Sequence, residues 1–110
     1  MSWTRLELDE LFKTLPLPVR YQVAEAAPPL PFGLWRFTDS NDVYADNINY
    51  KKVRVIELVI ASDKPEDIIQ QAVEDLLTGN GFTYSIRFTY LNSERIFETT
   101  YTMEVILTNG

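Results

Sequence analysis

Apolar and polar residues alternate along several segments of this chain, and the alternation predicts five strands. The clearest case runs from residue 82 to residue 90, where every second residue is aromatic or aliphatic, as in a strand with one buried face. The segment 48–61 is rich in valine and isoleucine and becomes apolar on both faces, which predicts a strand in the middle of a sheet. Shorter patterns predict strands at 19–23, 32–37 and 97–107.

Two further segments carry apolar residues at helical spacing. The first begins with Thr4 and Glu7, a pair that caps a helix start reciprocally, and is expected to end before Pro16. The second is expected to begin at Asp63–Glu66, which includes a proline, and to end at Gly79–Gly81. Its predicted apolar stripe consists of Ile68, Ile69, Ala72, Val73, Leu76 and Leu77.

Short polar residues and prolines predict the connections. Thr38–Asp42 has the composition of a turn, Asn92–Glu94 that of a hairpin turn, and the prolines within residues 24–31 predict an extended loop. The elements then follow in the order α-β-β-β-α-β-β. Two helices are too few to cover both faces of about five strands. We therefore predict a single α+β domain over residues 1–110, a two-layer, mostly antiparallel sheet with both helices packed on one face.

The residue types that the chain lacks exclude many kinds of chemistry. Its 110 residues include no cysteine and no histidine, which removes disulfides, sulfur or imidazole ligands for a metal, and Ser-His or Cys-His nucleophiles. We therefore expect no enzymatic activity and no catalytic residue, cofactor or metal. The net charge of −6 disfavours tight binding to nucleic acid or anionic lipid. The lack of a long apolar run or a secretory signal predicts a cytosolic protein.

Oxygen-bearing side chains offer two candidate sites, and each has a simpler explanation. Asp39–Asp42 resembles the start of a calcium loop, but Tyr44 stands where the sharp turn of that loop requires glycine. Glu57, Glu98 and Glu104 lie on predicted strands, where paired carboxylates serve glycoside hydrolysis but a solvated sheet face is the commoner reason for them. A small carboxylate-dependent glycan-processing enzyme is therefore a remote alternative.

Two clusters have the composition of protein contacts. Lys51, Lys52 and Arg54 form a basic stretch in an acidic chain, which favours salt bridges between subunits or protection of a strand edge over nucleic-acid binding. Trp35–Phe37 combines aromatic rings with arginine, the residue types that dominate interface hot spots, although core packing explains many such rings equally well.

The stretch Thr38–Asn47, followed by Tyr50, contains the element Tyr44-Ala45-Asp46-Asn47. Pro18-Val19-Arg20-Tyr21 and the aromatic segment Phe32–Phe37 precede it, and a Ser-Glu turn and a tyrosine-bearing strand follow it. In this order, over nearly the whole chain, these features resemble the tail-completion, or tail-terminator, proteins of long-tailed bacteriophages of Gram-positive bacteria.

The resemblance implies a non-catalytic structural subunit of the virion at the junction of tail and head, present in the host cytoplasm during assembly. Such proteins form a six-fold ring that caps the tail tube, so the implied partners are further copies of the chain, the tail-tube protein and the head-connector protein. DNA only passes through the channel, and no membrane is involved. A head-tail connector or neck adaptor that completes the head is the alternative. The predicted contact residues are Trp35, Asp39, Asn41, Asp42, Tyr44, Ala45, Asp46, Asn47 and Tyr50.

Overall fold

A computed structural model gives the fold for most of the chain. The residues it describes are 2–22, 29–40, 43–45, 48–65 and 67–107, and for 43–45 and 48–51 the description covers the backbone alone. In chain order the described elements are β1 (Ser2–Trp3), α1 (Arg5–Phe12), β2 (Val19–Tyr21), β3 (Phe32–Ser40), β4 (Val43–Ala45), β5 (Ile48–Ser62), α2 (Asp67–Gly79), β6 (Tyr84–Leu91) and β7 (Ile96–Leu107).

The strand β5, 15 residues long, lies in the middle of a mixed sheet. It pairs antiparallel with β7 on one side and with β3 on the other, and β2 continues the sheet beyond β3 in the parallel direction. On the far side of β7, β6 pairs antiparallel and β1 parallel. The predicted α+β class is confirmed. The predicted order of elements differs from the observed one because it lacked the short strands β1 and β4.

The core lies between one face of this sheet and the two helices. A row of paired residues crosses the sheet, with Trp35 opposite Leu58 and Leu58 opposite Tyr101, and none of these three side chains is exposed. Both helices pack into the same cluster, so both lie on this face, as the sequence predicts. Their buried residues are Leu8 and Phe12 from α1 and Ile69, Val73 and Leu77 from α2.

The opposite face of the sheet has no helix over it within the described part of the chain. Its central strand contributes half-buried valines, whereas the flanking strands contribute mainly polar side chains. This face is therefore neither a buried core nor a fully polar surface. Its residues include Val53, Val55, Glu57 and Val59 from β5, Leu34 and Arg36 from β3, and Thr100, Thr102 and Glu104 from β7.

The predicted turn at Thr38–Asp42 is wrong for its first three residues, which belong to β3. Asp39 pairs with Val55 of β5, and a bulge at Thr38 shifts the register just before it. The Asp39 carboxylate still accepts a hydrogen bond of 2.8 Å from the backbone N–H of Ser40, a local bond typical of turns. The long strand β5 offers these residues a partner, and strand pairing outweighs their local preference.

The second helix begins later than predicted. It starts at Asp67, whereas the sequence pattern placed its start at Asp63, and Ile68 is 82% exposed instead of buried. Successive helical residues are about 100° apart around the helix axis, so a helix that turns Ile69 and Val73 toward the sheet turns Ile68 away from it. The first turn of α2 therefore presents an apolar side chain to solvent.

The signals predicted for the start of α1 and for the end of α2 are both present. At the start of α1, the Thr4 hydroxyl accepts a hydrogen bond of 3.1 Å from the Glu7 N–H, and the Glu7 carboxylate accepts one of 2.9 Å from the Thr4 N–H. At the end of α2, Gly81 adopts a left-handed φ of 79°, and the N–H of Phe82 donates to the Leu77 carbonyl at 2.9 Å. This is a Schellman cap, which satisfies carbonyls that the helix leaves without partners.

Two glycines near this cap are expected to respond in opposite ways to alanine. Gly79 lies inside the helix, and a methyl group there meets no atom within 4 Å, so Gly79→Ala should raise the free energy of unfolding by up to about 1 kcal/mol. Gly81→Ala should lower it by roughly 1–2 kcal/mol, because other residues pay that much for the left-handed conformation. Urea denaturation of both variants measures the difference, and a shift of the same sign in both contradicts the assignment of the cap.

Candidate interaction surfaces

The first candidate surface is a β-hairpin that extends beyond the body of the sheet. Pairing of β5 with β7 begins at Lys52 and pairing with β3 begins at Arg54, so residues 48–51 of β5 pair with β4 alone among the described strands. Within this hairpin Tyr44 lies opposite Asn49. We call β4 together with residues 48–51 the arm.

The arm carries part of the predicted contact set. Tyr44, Ala45 and Tyr50 belong to its two strands, and Asp39 lies near the end of β3, close in sequence to the start of the arm. Of the described residues in Thr38–Asn47 and Tyr50, the arm carries residues 43–45 and Tyr50, whereas Thr38–Ser40 belong to β3. Four predicted contact residues lie outside the described residues: Asn41, Asp42, Asp46 and Asn47.

Trp35, the remaining member of the predicted contact set, lies in the core. Its side chain has no exposed surface, and its ring packs against those of Phe12, Tyr21 and Phe37 at centroid distances of 5.2, 4.6 and 5.3 Å. In this fold its side chain is therefore a packing element and is not available at the surface. Sequence alone does not separate core packing from surface contact, because a strand can turn an aromatic residue toward the core or toward solvent.

The indole of Trp35 is held by a polar pair on α1. Its Nε1–H donates a hydrogen bond of 3.0 Å to Asp9, whose other carboxylate oxygen lies 2.8 Å from the Lys13 ammonium group. Burial would raise the pKa of Asp9, but the hydrogen bonds from Lys13 and Trp35, with the charges of Lys13 and Arg5, outweigh it and lower the pKa below the ordinary value of 3.8. The pair therefore fixes α1 over the sheet most firmly when Asp9 is ionised.

We expect substitutions of Asp9 to separate its hydrogen bond from its charge. Asp9→Ala leaves the buried indole N–H without its acceptor and should cost roughly 1–3 kcal/mol of stability, whereas Asp9→Asn keeps an oxygen acceptor and should cost less. Because the pKa of Asp9 is lowered on folding, its ionic contribution is present above 3.8 and is lost as the pH falls through the lowered pKa.

Unfolding measured in urea between neutral and strongly acidic pH tests this assignment. The loss of stability on acidification should be smaller in Asp9→Asn than in the unsubstituted chain. Glu10→Gln, which removes an exposed carboxylate from the same helix, is the matched control. An Asp9→Asn variant with the same pH dependence as the unsubstituted chain shows that the carboxylate does not stabilise the fold.

The second candidate surface is an apolar groove beside β6. Phe88 is 67% exposed, and Tyr90 and Phe97 are also exposed, with their rings paired across β6 and β7 at a centroid distance of 4.6 Å. Together with Ile60, Pro65 and Gln70 they line a groove of about 340 Å³ between the start of α2 and the β6–β7 hairpin. We call it the β6 groove. Exposed apolar side chains gathered in one groove are typical of a surface that binds another molecule.

The β6 groove was not predicted from the sequence. The period-two pattern places Phe88 and Tyr90 on the same face of β6 as Tyr84 and Ile86, and the pairing with β7 confirms this shared face. The predicted burial is wrong for Phe88 and Tyr90, which are both exposed. The far end of this face borders the start of α2, at Pro65 and Gln70. The sequence did allow a later helix start, because Pro65 fits the loop before a helix as well as the first turn of one. A later start was the available indication that the groove exists.

The carboxylates considered for hydrolytic chemistry do not share an enclosed site. Glu57 accepts a hydrogen bond of 3.0 Å from the Arg36 guanidinium on the open sheet face. Among the described residues, Glu98 is the one acidic residue that lines the β6 groove, and Glu104 is the one that borders two shallow depressions near β1 and β6. Glycoside hydrolysis requires two carboxyls within roughly 10 Å of each other across a cleft. The positions of Glu57, Glu98 and Glu104 give no specific support to such a pair.

A tyrosine under α2 is the one buried polar side chain that lacks a hydrogen-bond partner in the described part of the chain. The hydroxyl of Tyr101 is fully buried, and its ring lies 5.9 Å from that of Tyr84. Burial, followed by the nearby Glu74 carboxylate and the Tyr84 hydroxyl, raises the pKa of Tyr101. The group therefore stays protonated at neutral pH and has no means of acting as a base.

Comparison with known proteins identifies no relative of this chain, and the described side chains identify no metal site. No family model matches the sequence, and no curated protein matches it. Across the described residues no group of three or more acidic side chains is placed to hold a metal ion. The same residues contain no helix of the length and apolarity needed to cross a membrane.

Proposed function

We propose that this chain is a non-catalytic structural subunit that caps a phage tail tube as part of a ring and joins the tail to the head connector. The role is assembly, and the chain binds further copies of itself, the end of the tube, and the connector. DNA passes through the channel of the ring without a tight binding site.

What supports this proposal most is the position of the family-like stretch on the arm. Tyr44, Ala45 and Tyr50 belong to a hairpin that continues past the paired sheet, and β4 has no second strand beside it in the described residues. Segments that project from a rigid scaffold are where proteins commonly carry their binding residues. Closure of a ring beyond a dimer requires two different patches that meet head to tail, and a projecting segment suits one of them.

The open sheet face and the overall charge suit the same role. Glu57 and Glu104 lie on that face among threonines and half-buried valines, and the chain carries a net charge of −6. Negative charge along a channel repels the phosphate backbone and lets DNA pass without adhering. We propose that this face, or the acidic segment 39–46, lines the channel.

The proposal predicts that substitutions in the segment 42–46, which includes β4 of the arm, block assembly without unfolding the chain. A triple variant, Asp42→Asn, Tyr44→Ser and Asp46→Asn, should leave the unfolding transition nearly unchanged but should abolish joining of tails to heads when purified protein is added to phage tails and heads that lack this component. Electron microscopy of tail ends and counts of infectious particles measure the effect. Glu10→Gln is the control.

Two outcomes count against the proposal. Full activity of the triple variant removes the assigned role of the arm. Binding of the unsubstituted protein to isolated head connectors but not to tail tubes replaces tail completion with the neck-adaptor alternative.

A further inference from the structure

The β6 groove lies beside a free strand edge. Within the described residues β6 pairs with β7 alone, so the other edge of β6 presents backbone N–H and C=O groups without strand partners. Phe88 and Tyr90 stand on this strand, and Ile68 is exposed on the first turn of α2. An unpaired edge next to apolar side chains is the arrangement that accepts an added strand from another chain, in which backbone bonds give affinity and side-chain pockets give specificity.

The arm has the complementary properties. It is a strand pair in which, over the residues the structure describes, β4 has no strand on its outer edge, and its sequence supplies two tyrosines together with Val43 and Ile48. Among the seven residues that define the arm, 43–45 and 48–51, the one charged residue is the basic Lys51. Among the described residues that line the β6 groove, the one charged residue is the acidic Glu98. Over these residues the two surfaces therefore carry charges of opposite sign.

The two surfaces lie at opposite ends of the same strand. The arm contains the first residues of β5, from Ile48 to Lys51, and the β6 groove is lined by Ile60 and Ser62 at its other end. At about 3.3 Å per residue the ends of this strand are some 40 Å or more apart, so the arm of one chain does not reach its own groove. A second copy is the occupant that brings arm and groove together.

We infer that the arm of one copy docks on the free edge of β6 and into the β6 groove of the next copy. This contact is head to tail, and each copy uses both surfaces. It is favoured over pairing of two β6 edges, because the arm brings a basic residue, Lys51, to the groove that contains the acidic Glu98. The inference deepens the proposed function, because a ring needs such a contact, and it commits to a second copy of this chain as the partner.

Two single variants test the contact from its two sides. Phe88→Thr removes the most exposed ring of the groove and keeps a residue that suits strands, and Lys51→Glu reverses a charge on the arm. Each should weaken self-association of the full chain, measured by sedimentation over a range of concentrations, by about tenfold or more. Leu6→Gln, which removes an exposed apolar side chain from α1, should leave it unchanged. Urea unfolding verifies that each variant is folded.

An equimolar mixture of the two variants gives the sharper result. The Phe88→Thr copy keeps an intact arm and the Lys51→Glu copy keeps an intact groove, so the mixture should form a dimer of one copy of each, at concentrations at which each variant alone stays monomeric. Larger assemblies should not form from the mixture, because the remaining arm and the remaining groove are both defective.

Several results overturn the inference. The inference is wrong if the unsubstituted protein stays monomeric at every concentration reached. It is also wrong if the variants associate normally or if their mixture stays monomeric. An effect of Phe88→Thr without any effect of Lys51→Glu indicates pairing of two β6 edges instead. If Phe88→Thr abolishes binding to tail tubes but not self-association, the groove belongs to the tube protein. Because sedimentation uses the isolated chain, its failure leaves the tail-completion proposal to be decided by the assembly experiment.

Discussion

The antiparallel pairing of β5 with strands on both sides is the interaction on which the rest of this fold depends. The ladder with β7 runs from Lys52 to Ser62, and the ladder with β3 covers most of the same residues. It aligns Trp35, Leu58 and Tyr101 in one row, and this row forms the floor on which both helices pack. Because β5 is longer than the sheet that flanks it, the same strand also projects at one end as the arm.

The sequence predicted the parts of the fold that follow from side-chain periodicity. The alternation in β6 and β7, the two-faced apolar character of β5, the capping box at Thr4 and the glycine-bearing end of α2 are all observed. Each of these signals is local, in the sense that residues close along the chain determine it. The class and the single-sided placement of the helices followed from the number of elements.

The features that the sequence did not predict depend on partners distant along the chain. Thr38–Ser40 has turn chemistry but joins β3 because β5 lies alongside, and Ser2–Trp3 forms a strand only because the end of β7 is available for parallel pairing. Phe88 is exposed in a groove that borders the start of α2, a boundary that sequence patterns locate only to within a few residues. Trp35 had the composition of a hot spot, and only its burial distinguishes packing from binding.

In the proposed contact, the edge of β4 in one copy and the edge of β6 in the next copy become paired when the chains associate. Amide hydrogen exchange of the full chain at low and high protein concentration measures this directly. We predict that amides of β6 and of β4 become protected at high concentration while those in the middle of β5 stay equally protected throughout. Unchanged exchange in β6 and β4, under conditions in which the protein is shown to be assembled, contradicts the account.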